Sequence, residues 1–527
     1  MRDFHLPGRS AVFASNAMCA TSHPLAAKVA LDILRDGGNA LDAAIAGAVL
    51  LGLCEPQMTG IGGDCFALIK PAGSEDILGL NGSGKAPAAL DPAALRAAGH
   101  TTMPPAAAAS VTVPGAVDAF CHMSERWGRA GLDAILAPAI HYAEQGIPVA
   151  PRVAFDWATD SARLNGTARD HYLIAGKPPV AGAMFRAPRQ AEVLRKIARE
   201  GRDGFYTGAV AEDMVASLRA AGGTHTRDDF AATACMDATP IRGDYKGSEL
   251  VELPPNSHGA TAILMANILA RFDLPALDPF GAARAHLEAE AAKLAYDARN
   301  RFVADPDHTT RLDHMLRPET ADALAALIDP KRAMADPAAL SEQVHRETIY
   351  ITVVDADRMA VSLIYSIFDG FGSGIASDRY GILFHNRGAG FNLTPGHPNE
   401  AGGGKRPMHT IIPAMLRRND RLVMPFGVMG GPYQANGHAR VLTNLVDYGL
   451  HPQANLDAPR SFHDPRYGLQ VERGYSDAVR AELSAMGHSV VVPDTPIGGA
   501  QAIWIDPETG VLQGASDPRK DGCALGY

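Results

Sequence analysis

Apolar residues recur at helical spacing along several stretches of the first 300 residues. One such stretch covers Pro24–Arg35 and runs into Gly37 and Gly38, a pair typical of a helix end. Asn39 then stands where an N-cap is expected, before an alanine-rich run that reaches about Leu53. This second run is apolar on nearly all sides, which predicts a helix buried between layers. Further helices are predicted over residues 189–199, 210–221, 260–269 and 282–302.

From residue 348 onward the pattern changes to short β-prone runs separated by turns. Strands are predicted over residues 349–354, 360–365, 381–384 and 422–425, and a helix over 438–448. Because no linker rich in Pro, Gly and Ser separates two halves, we expect the elements to be tightly interleaved. Helices first and strands later predict an α+β fold with sheets sandwiched between helices.

Composition and charge narrow the function classes. The 527 residues are 46% hydrophobic and 20% charged, which is typical of a globular protein with an extensive core. The net charge of -10 argues against a nucleic-acid or anionic-membrane partner, so a small-molecule substrate fits better. With neither a signal peptide nor an apolar run of membrane-spanning length, we predict a cytoplasmic protein. The six cysteines form no CxxC pair, and we predict no disulfide framework, metal or cofactor.

Three glycine-centred stretches are candidate chemical signals. They lie at Glu55-Pro56-Gln57-Met58-Thr59-Gly60-Ile61-Gly62-Gly63-Asp64, at Phe371-Gly372-Ser373-Gly374 and at Met429-Gly430-Gly431-Pro432. The first is of a kind that lets the backbone approach a neighbour closely, although each stretch alone is more often a tight turn. The run Gly402-Gly403-Gly404-Lys405 imitates the end of a phosphate-binding loop, but Arg406 replaces the required Ser or Thr, which indicates a solvent loop.

Taken in order, motifs along nearly the whole chain resemble the gamma-glutamyltransferase family. The matching pieces include Thr21-Ser22-His23-Pro24-Leu25-Ala26, Gly37-Gly38-Asn39-Ala40-Leu41-Asp42-Ala43-Ala44, Thr59 to Gly63, Val113-Pro114-Gly115, Gly204-Phe205-Tyr206-Thr207-Gly208, Thr348 to Asp355, Phe371 to Ile375, Lys405-Arg406-Pro407, Gly430-Gly431, Asp447-Tyr448-Gly449 and Ala458-Pro459-Arg460. This resemblance implies an αββα sandwich of the N-terminal-nucleophile hydrolase type.

The same resemblance implies a precursor that cuts itself between Glu347 and Thr348. Residues 1–347 would form a large subunit and residues 348–527 a small one, intertwined as a single structural unit. Thr348 would then be the catalytic nucleophile. In isolation, a Thr at the start of a β-prone run is ordinarily only a good strand residue.

An N-terminal threonine carries its own base. Before cleavage the Thr348 nitrogen is an amide without useful basicity, whereas an α-amino group with a pKa of about 7.7–8.0 accepts the hydroxyl proton near neutral pH. By family match, the backbone N–H groups of Gly430 and Gly431 would hold the oxyanion. Ser366 matches a second hydroxyl that orients the nucleophile or assists self-cleavage.

Several positions depart from the residues that bind glutamate in gamma-glutamyl-specific members. Residues 86–92 lack the Arg that binds the substrate's α-carboxylate, and Phe368 replaces an Asn. Gly390 matches the acidic residue that holds the α-amino group, and His409 and Thr410 match a serine pair that helps to hold the carboxylate. A glutamyl donor would therefore leave charged groups without partners.

Arg387 supplies a new cation where the glutamyl enzymes align a Gln, and its planar fork suits a small carboxylate. The alternative for Arg387 is an ordinary surface ion pair. The overall pattern is similar to the branch that includes oxamate amidohydrolase, which predicts hydrolysis of a small carboxylate-bearing amide with release of ammonia. We predict that Arg387, His409 and Thr410 bind this substrate. Two alternatives stay open: a gamma-glutamyl hydrolase or transferase, and an unprocessed, inactive binding scaffold.

Overall fold

The computed structural model describes residues 8–334, 349–464 and 466–527. In chain order, the strands of these ranges are β1 (Val12–Ala14), β2 (Met18–Thr21), β3 (Asp64–Lys70), β4 (Leu78–Gly82), β5 (Ile147–Pro148), β6 (Met184–Phe185), β7 (Met236–Ala238), β8 (Ile241–Tyr245), β9 (Ser248–Glu252), β10 (Ile349–Val354), β11 (Ala360–Ser366), β12 (Ala414–Arg418), β13 (Arg421–Met429), β14 (Ser461–Asp464), β15 (Gly468–Val471), β16 (Val490–Val491), β17 (Gly499–Ile505), β18 (Leu512–Ser516) and β19 (Cys523–Gly526).

The α-helices of the same ranges are α1 (Pro24–Arg35), α2 (Ala40–Cys54), α3 (Pro92–Ala97), α4 (Ala116–Trp127), α5 (Gly131–Gln145), α6 (Pro151–Asp160), α7 (Ala168–Tyr172), α8 (Pro188–Glu200), α9 (Asp203–Tyr206), α10 (Gly208–Ala220), α11 (Arg227–Ala231), α12 (Gly259–Leu269), α13 (Ala282–Phe302), α14 (Leu312–Leu316), α15 (Pro318–Ala325), α16 (Tyr433–Val446), α17 (Pro452–Asp457) and α18 (Asp477–Ala485). None of these helices is long and apolar enough to cross a membrane.

Two seven-stranded sheets form the centre of the molecule. One has the order β1-β18-β17-β13-β12-β9-β8 and the other β19-β2-β10-β11-β3-β4-β7, with antiparallel neighbours throughout. Both sheets combine strands that precede residue 335 with strands that follow residue 348. The two sides of the predicted cleavage site therefore share hydrogen-bonded ladders, and neither side has a large sheet of its own.

The sheets pack face to face around a buried apolar layer that includes Phe66, Tyr350, Ile364 and Met415. Tyr350 of β10 lies against Gly427 of β13, where an added Cβ would collide with its ring. Helices α1 and α2 pack on the outer face of one sheet, and α12, α16 and α17 on that of the other. The succession from one outer side to the other is therefore helices, sheet, sheet, helices.

Local sequence signals explain the first two helices. Pro24 occupies the first turn of α1, where its missing N–H has no cost, and the His23 side chain accepts a hydrogen bond from the Leu25 N–H. Asn39 caps α2 in a reciprocal capping box with Asp42. All fifteen residues of α2 are buried, which confirms the predicted helix between layers.

Most predicted elements are confirmed, with ends that move by a few residues. The helix predicted over 438–448 instead begins at Tyr433, and the strand predicted over 422–425 is the middle of β13. The strand predicted over 381–384 is wrong, because this segment is a buried irregular stretch with a single bridge between Ala376 and Leu383. The order of helices first and strands later is also wrong, because nine of the labelled strands precede residue 335.

Candidate active site

Strand β10, which lies between β2 and β11, begins at Ile349, directly after the predicted nucleophile. Ile349 pairs with Tyr365 of β11, and Ser366 is the next residue and the last of that strand. Every residue of both strands is buried. Glu347 and Thr348 themselves lie outside the described residues, so their roles stay predictions.

The first glycine-centred stretch brings three backbone segments together beside Ser366. A Cβ on Gly62 would collide with the backbone carbonyl of Leu383, and one on Gly63 with that of Ser366. The Gly62 carbonyl accepts a hydrogen bond of 3.1 Å from the His385 N–H. These positions need glycine for close approach, which is the use that the sequence suggested for this stretch.

The carboxylate of Asp64, the first residue of β3, is a fully buried hub. Its Oδ1 accepts hydrogen bonds from the Gly84 and Gly115 N–H groups at 3.1 and 3.2 Å. Its Oδ2 lies 3.0 Å from His409 Nε2 and 3.6 Å from His385 Nδ1. Burial alone would raise the pKa of Asp64, but the positive influence of these partners and of Arg387 holds it below its usual value. Asp64 is therefore a buried anion.

His409 is a neutral imidazole held in one orientation. Burial, followed by the charge of Arg387, lowers its pKa to about 3 despite the opposing effect of Asp64. Its Nε2–H donates to Asp64, and its Nδ1 accepts from the Ile411 N–H at 3.4 Å. Both ring nitrogens thus have partners within the protein, and His409 is buried.

Arg387 begins a short 3-10 helix that covers Arg387–Gly390. Its side chain reaches Ser366 at the end of β11. Its Nη1 donates to Thr410 Oγ1 at 2.9 Å, and its Nη2 donates to Ser366 Oγ at 3.3 Å. The guanidinium stacks on the ring of Phe368, with Cζ 4.0 Å from the ring centroid. The structure thus brings three predicted site residues, Ser366, Arg387 and Thr410, into one hydrogen-bonded group.

The alternative of a surface ion pair for Arg387 is wrong, because its relative exposure is 0%. Within the described ranges, none of its nitrogens lies within 4.0 Å of a carboxylate oxygen, and its Nε has no hydrogen-bond partner. Burial lowers its pKa to about 9, so the side chain still carries its proton at neutral pH. A buried cation without an ion-pair partner is costly in a site that binds nothing.

Gly430 and Gly431 follow β13 and precede α16. Their φ angles of 124° and 55° lie in the region that favours glycine. Their carbonyls accept the first two hydrogen bonds of the helix start, from the Tyr433 and Gln434 N–H groups. Their own N–H groups donate to no acceptor in the part of the chain that the structure describes.

Gly430 lines a pocket of about 440 Å³. Much of its wall is aromatic, and its ionic side chains include Arg466 and Lys520. The aromatic residues of the lining are Phe155, Tyr433, Phe462 and Tyr467. Asp464 and Asp494 line it as well, so the pocket combines apolar surface with two acidic and two basic side chains beside the candidate oxyanion site.

Glu55 and Lys520 are both buried, and Lys520 also lines this pocket. Ser22 Oγ donates to Glu55 Oε1 at 2.6 Å, and Lys520 Nζ lies 3.5 Å from Met58 Sδ and 3.8 Å from Asp156 Oδ2. Burial raises the pKa of Glu55 to about 7, although Lys520 and Ser22 oppose the shift.

Two residues of the site were missed from the sequence, Asp64 and His385. Asp64 is the last residue of the first glycine-centred stretch. An acidic residue directly after a loop that allows close backbone approach could have indicated a role in the site. His385 had no comparable signal, because it follows the segment wrongly predicted as a strand. Its Nε2 lies 2.8 Å from the Thr112 carbonyl, a contact between residues 273 positions apart.

Comparisons with known proteins agree along nearly the whole chain. The family model described as Gamma-glutamyltranspeptidase matches residues 26–527. The glutathione hydrolase-like YwrD proenzyme of Bacillus subtilis is 34% identical, over 98% of this chain and 99% of its own length. The oxamate amidohydrolase proenzyme of Klebsiella pneumoniae is 35% identical, over 97% and 99%. The crystal structure of cephalosporin acylase from Bacillus halodurans is 38% identical with a TM-score of 0.93, over 100% and 99%.

Glu55 makes stability depend on pH with a defined sign. Because its folded pKa of about 7 exceeds the ordinary 4.5, the folded chain binds a proton that the unfolded chain lacks between these values. The free energy of unfolding should therefore fall as pH rises through this window, by about 3 kcal/mol in total. Glu55→Gln stays neutral and should remove this part of the fall.

The measurement is chemical denaturation of both proteins at about pH 5 and about pH 8, on either side of the window. The exposed glutamate Glu508, changed to Gln, is the matched control. Parallel pH profiles for wild type and Glu55→Gln would show that Glu55 ionises normally.

Proposed function

The chain belongs to the gamma-glutamyltranspeptidase family, and on that premise we propose that it is a self-processing amidohydrolase with Thr348 as nucleophile. Its substrate is a carboxylate-bearing amide. The observation that carries the substrate class is the buried Arg387 guanidinium, which contacts Ser366 but no carboxylate among the described residues.

We assign the fold to the αββα sandwich of N-terminal-nucleophile hydrolases. The succession of helices, two antiparallel sheets and helices supports this assignment. The position of β10 supports it as well, because this strand begins next to the proposed cleavage site and lies in the interior of its sheet, between β2 and β11. Relatives named as proenzymes support a precursor that is cut into two chains, here residues 1–347 and 348–527.

The proposed reaction starts with the new amino group of Thr348. It takes the proton of the threonine hydroxyl, whose Oγ1 attacks the substrate carbonyl carbon. The Gly430 and Gly431 N–H groups donate to the resulting oxyanion; their glycine-only backbone angles support this role. As the intermediate collapses, the amino group of Thr348 returns the proton to the leaving nitrogen, the C–N bond breaks and ammonia leaves. Water then cleaves the remaining acyl ester.

Ser366 is suited to orient the nucleophile. Its Oγ accepts hydrogen bonds from the Phe368 N–H at 2.8 Å and from Arg387 at 3.3 Å. With two donors on its oxygen, its own O–H acts as the donor of a third bond. We propose that this bond is directed to Thr348 Oγ1.

Arg387 is proposed to bind the substrate carboxylate, and Thr410 to hold Arg387. His409 and Asp64 support Thr410 indirectly. The Asp64 carboxylate fixes the His409 ring, and His409 directly precedes Thr410. The prediction that His409 contacts the substrate is kept in this proposal, with the His409 ring as a polar wall of the site. The ring is neutral, which is compatible with a nearby anion. In oxamate the carboxylate carbon is two bonds from the scissile nitrogen. The substrate carboxylate and the Arg387 guanidinium would therefore meet at this site.

The pocket beside Gly430 favours a second candidate, an acylase for larger amides. A volume of about 440 Å³ with four aromatic side chains exceeds what a molecule as small as oxamate fills. The similarity to a cephalosporin acylase points the same way. Hydrolysis of a gamma-glutamyl donor remains an alternative, because glutathione hydrolases align over 97–98% of this chain. The unprocessed, inactive scaffold is the other alternative.

Removal of the nucleophile tests the enzyme itself. Thr348→Ala should stay a single chain and lose amidase activity to background, because it lacks the hydroxyl needed for both steps. Thr348→Ser, which keeps a hydroxyl, should still be cut and retain part of the activity. Denaturing gels and ammonia release provide the measurements. A wild-type chain that remains one band without activity would support the scaffold, and normal cutting of Thr348→Ala would move the nucleophile elsewhere.

Arg387 can be tested with a matched pair of substrates, oxamate and its neutral analogue oxamide. Wild type should prefer oxamate, and Arg387→Met should lose this preference through a rise in KM, with kcat/KM for oxamate falling about 100-fold. Oxamide turnover should change little in the same variant. Met keeps an unbranched chain above Phe368, so packing is largely preserved. An equal loss for both amides would assign Arg387 to structure alone.

A substrate panel separates the reactions. Wild type should release ammonia from oxamate faster than it releases amine from a gamma-glutamyl anilide, because several residues that bind the glutamyl group in gamma-glutamyl-specific members are replaced here. An aromatic acyl amide with a carboxylate tests the pocket. Turnover of the gamma-glutamyl anilide alone would overturn the substrate proposal, and preference for the aromatic amide would favour the acylase.

A further inference from the structure

A buried cluster of nitrogen and oxygen ligands shares no residue with the candidate active site. His286 and Glu290 are one helical turn apart on α13, and His488 follows the end of α18. All three are buried, and one ligand atom from each lies within 4.8 Å of the others. His286 Nδ1 and His488 Nε2 face each other at 2.7 Å. Two imidazoles and a carboxylate are a donor set that suits zinc and its neighbours among the transition metals.

Hydrogen bonding already selects the tautomer of His286 that a metal needs. His286 Nε2 lies 2.8 Å from the backbone carbonyl of Asp329, which can only accept, so the proton is on Nε2. The lone pair of Nδ1 therefore points toward His488 Nε2, 2.7 Å away. Donation of the far N–H to a backbone carbonyl is the usual way in which proteins orient a metal-binding histidine.

The third ligand is held in place from its other side. Glu290 Oε2 accepts a hydrogen bond of 2.8 Å from the Met334 N–H, and Oε1 lies 2.9 Å from Lys293 Nζ. Lys293 also donates to the Met334 carbonyl at 2.9 Å, so it has a second partner if the carboxylate turns to a metal ion. The carboxylate is thus anchored by one oxygen and balanced by a movable cation at the other.

We propose that His286, Glu290 and His488 bind a divalent transition-metal ion, with Zn²⁺ as the best match and water as the fourth ligand. The ion takes the place of the proton that His488 Nε2 shares with His286 Nδ1. In the bound form His488 carries its proton on Nδ1 instead of Nε2. Two nitrogens bound tetrahedrally to zinc are about 3.3 Å apart, so the rings need to separate by a fraction of an ångström.

The site joins two parts of the chain that the proposed cleavage separates. His286 and Glu290 precede residue 335, whereas His488 follows residue 348. The segment before residue 335 is fastened here too, because the Ala333 N–H donates to the Met486 carbonyl at 2.8 Å. A bound ion would cross-link the large and small subunits. This consequence rests on the proposed self-cleavage, whereas the metal site itself does not.

The test is titration of the chelator-stripped full chain with Co²⁺, whose tetrahedral complexes with nitrogen and oxygen ligands absorb visible light. Wild type should bind one ion per chain, and Zn²⁺ should displace it. His488→Gln places an N–H donor toward His286, so the hydrogen bond is kept, and it should weaken binding by at least about 10-fold. His225→Gln is the matched control, since His225 is also buried and its Nε2 faces a backbone carbonyl at 2.8 Å.

Absence of tetrahedral Co²⁺ absorption in the wild type, or equal affinity in wild type and His488→Gln, would overturn the proposal. Glu290→Gln, which retains an acceptor for Met334, repeats the test if the His488 variant is unstable. In the processed enzyme, Zn²⁺ should raise the urea concentration that separates the two chains, and this effect should be absent from His488→Gln. Thr348→Ala should bind Co²⁺ like the wild type, so failure of self-cleavage and failure of the metal site give different results.

Discussion

The carboxylate of Asp64 connects most of the segments that form the candidate site. It is fully buried, and it binds the backbone at Gly84 and Gly115 and the side chain of His409. An ion in this environment is tolerated only when its partners compensate for the water it has lost, so the carboxylate constrains all of them together. Removing a hydrogen-bond donor from a buried charged group typically costs roughly 1–3 kcal/mol or more. The strand register places Asp64 opposite Ser366, which carries this constraint to the reacting end of β11.

Local signals predicted helices well because caps and spacing act within a few residues. Asn39 and Asp42 form the capping box that begins α2, and Ala282–Phe302 is a helix over its full predicted length. Early strands such as β3 were missed because all seven of its residues are buried, so the alternation of apolar and polar positions that marks a strand is absent. The segment 381–384 has β-prone residues, yet it packs its backbone against Gly62 instead of extending a sheet.

The candidate site was predictable in its residues more than in its arrangement. Ser366, Arg387 and Thr410 were chosen from the sequence, and the structure places them in one hydrogen-bonded group. The burial of Arg387 was not predictable, because it depends on segments that are distant along the chain: Thr410 bonds to Arg387, and the Ser110 backbone packs against the neighbouring Gly388. The partnership of Asp64 with His409 spans 345 positions, a separation over which a single sequence carries no pairing signal.

The pairing of β19 with β2 places the last strand of the chain beside one of its first. The Asn16 N–H donates to the Tyr527 carbonyl at 2.8 Å, so only a short linker would be needed to join these two regions covalently. Such a circular permutant could be opened before residue 348 without removing any strand from either large sheet. Once its initiator methionine is removed, that chain would carry Thr348 at its amino terminus from synthesis. The order of the segments along the gene is thus separable from the architecture that they build.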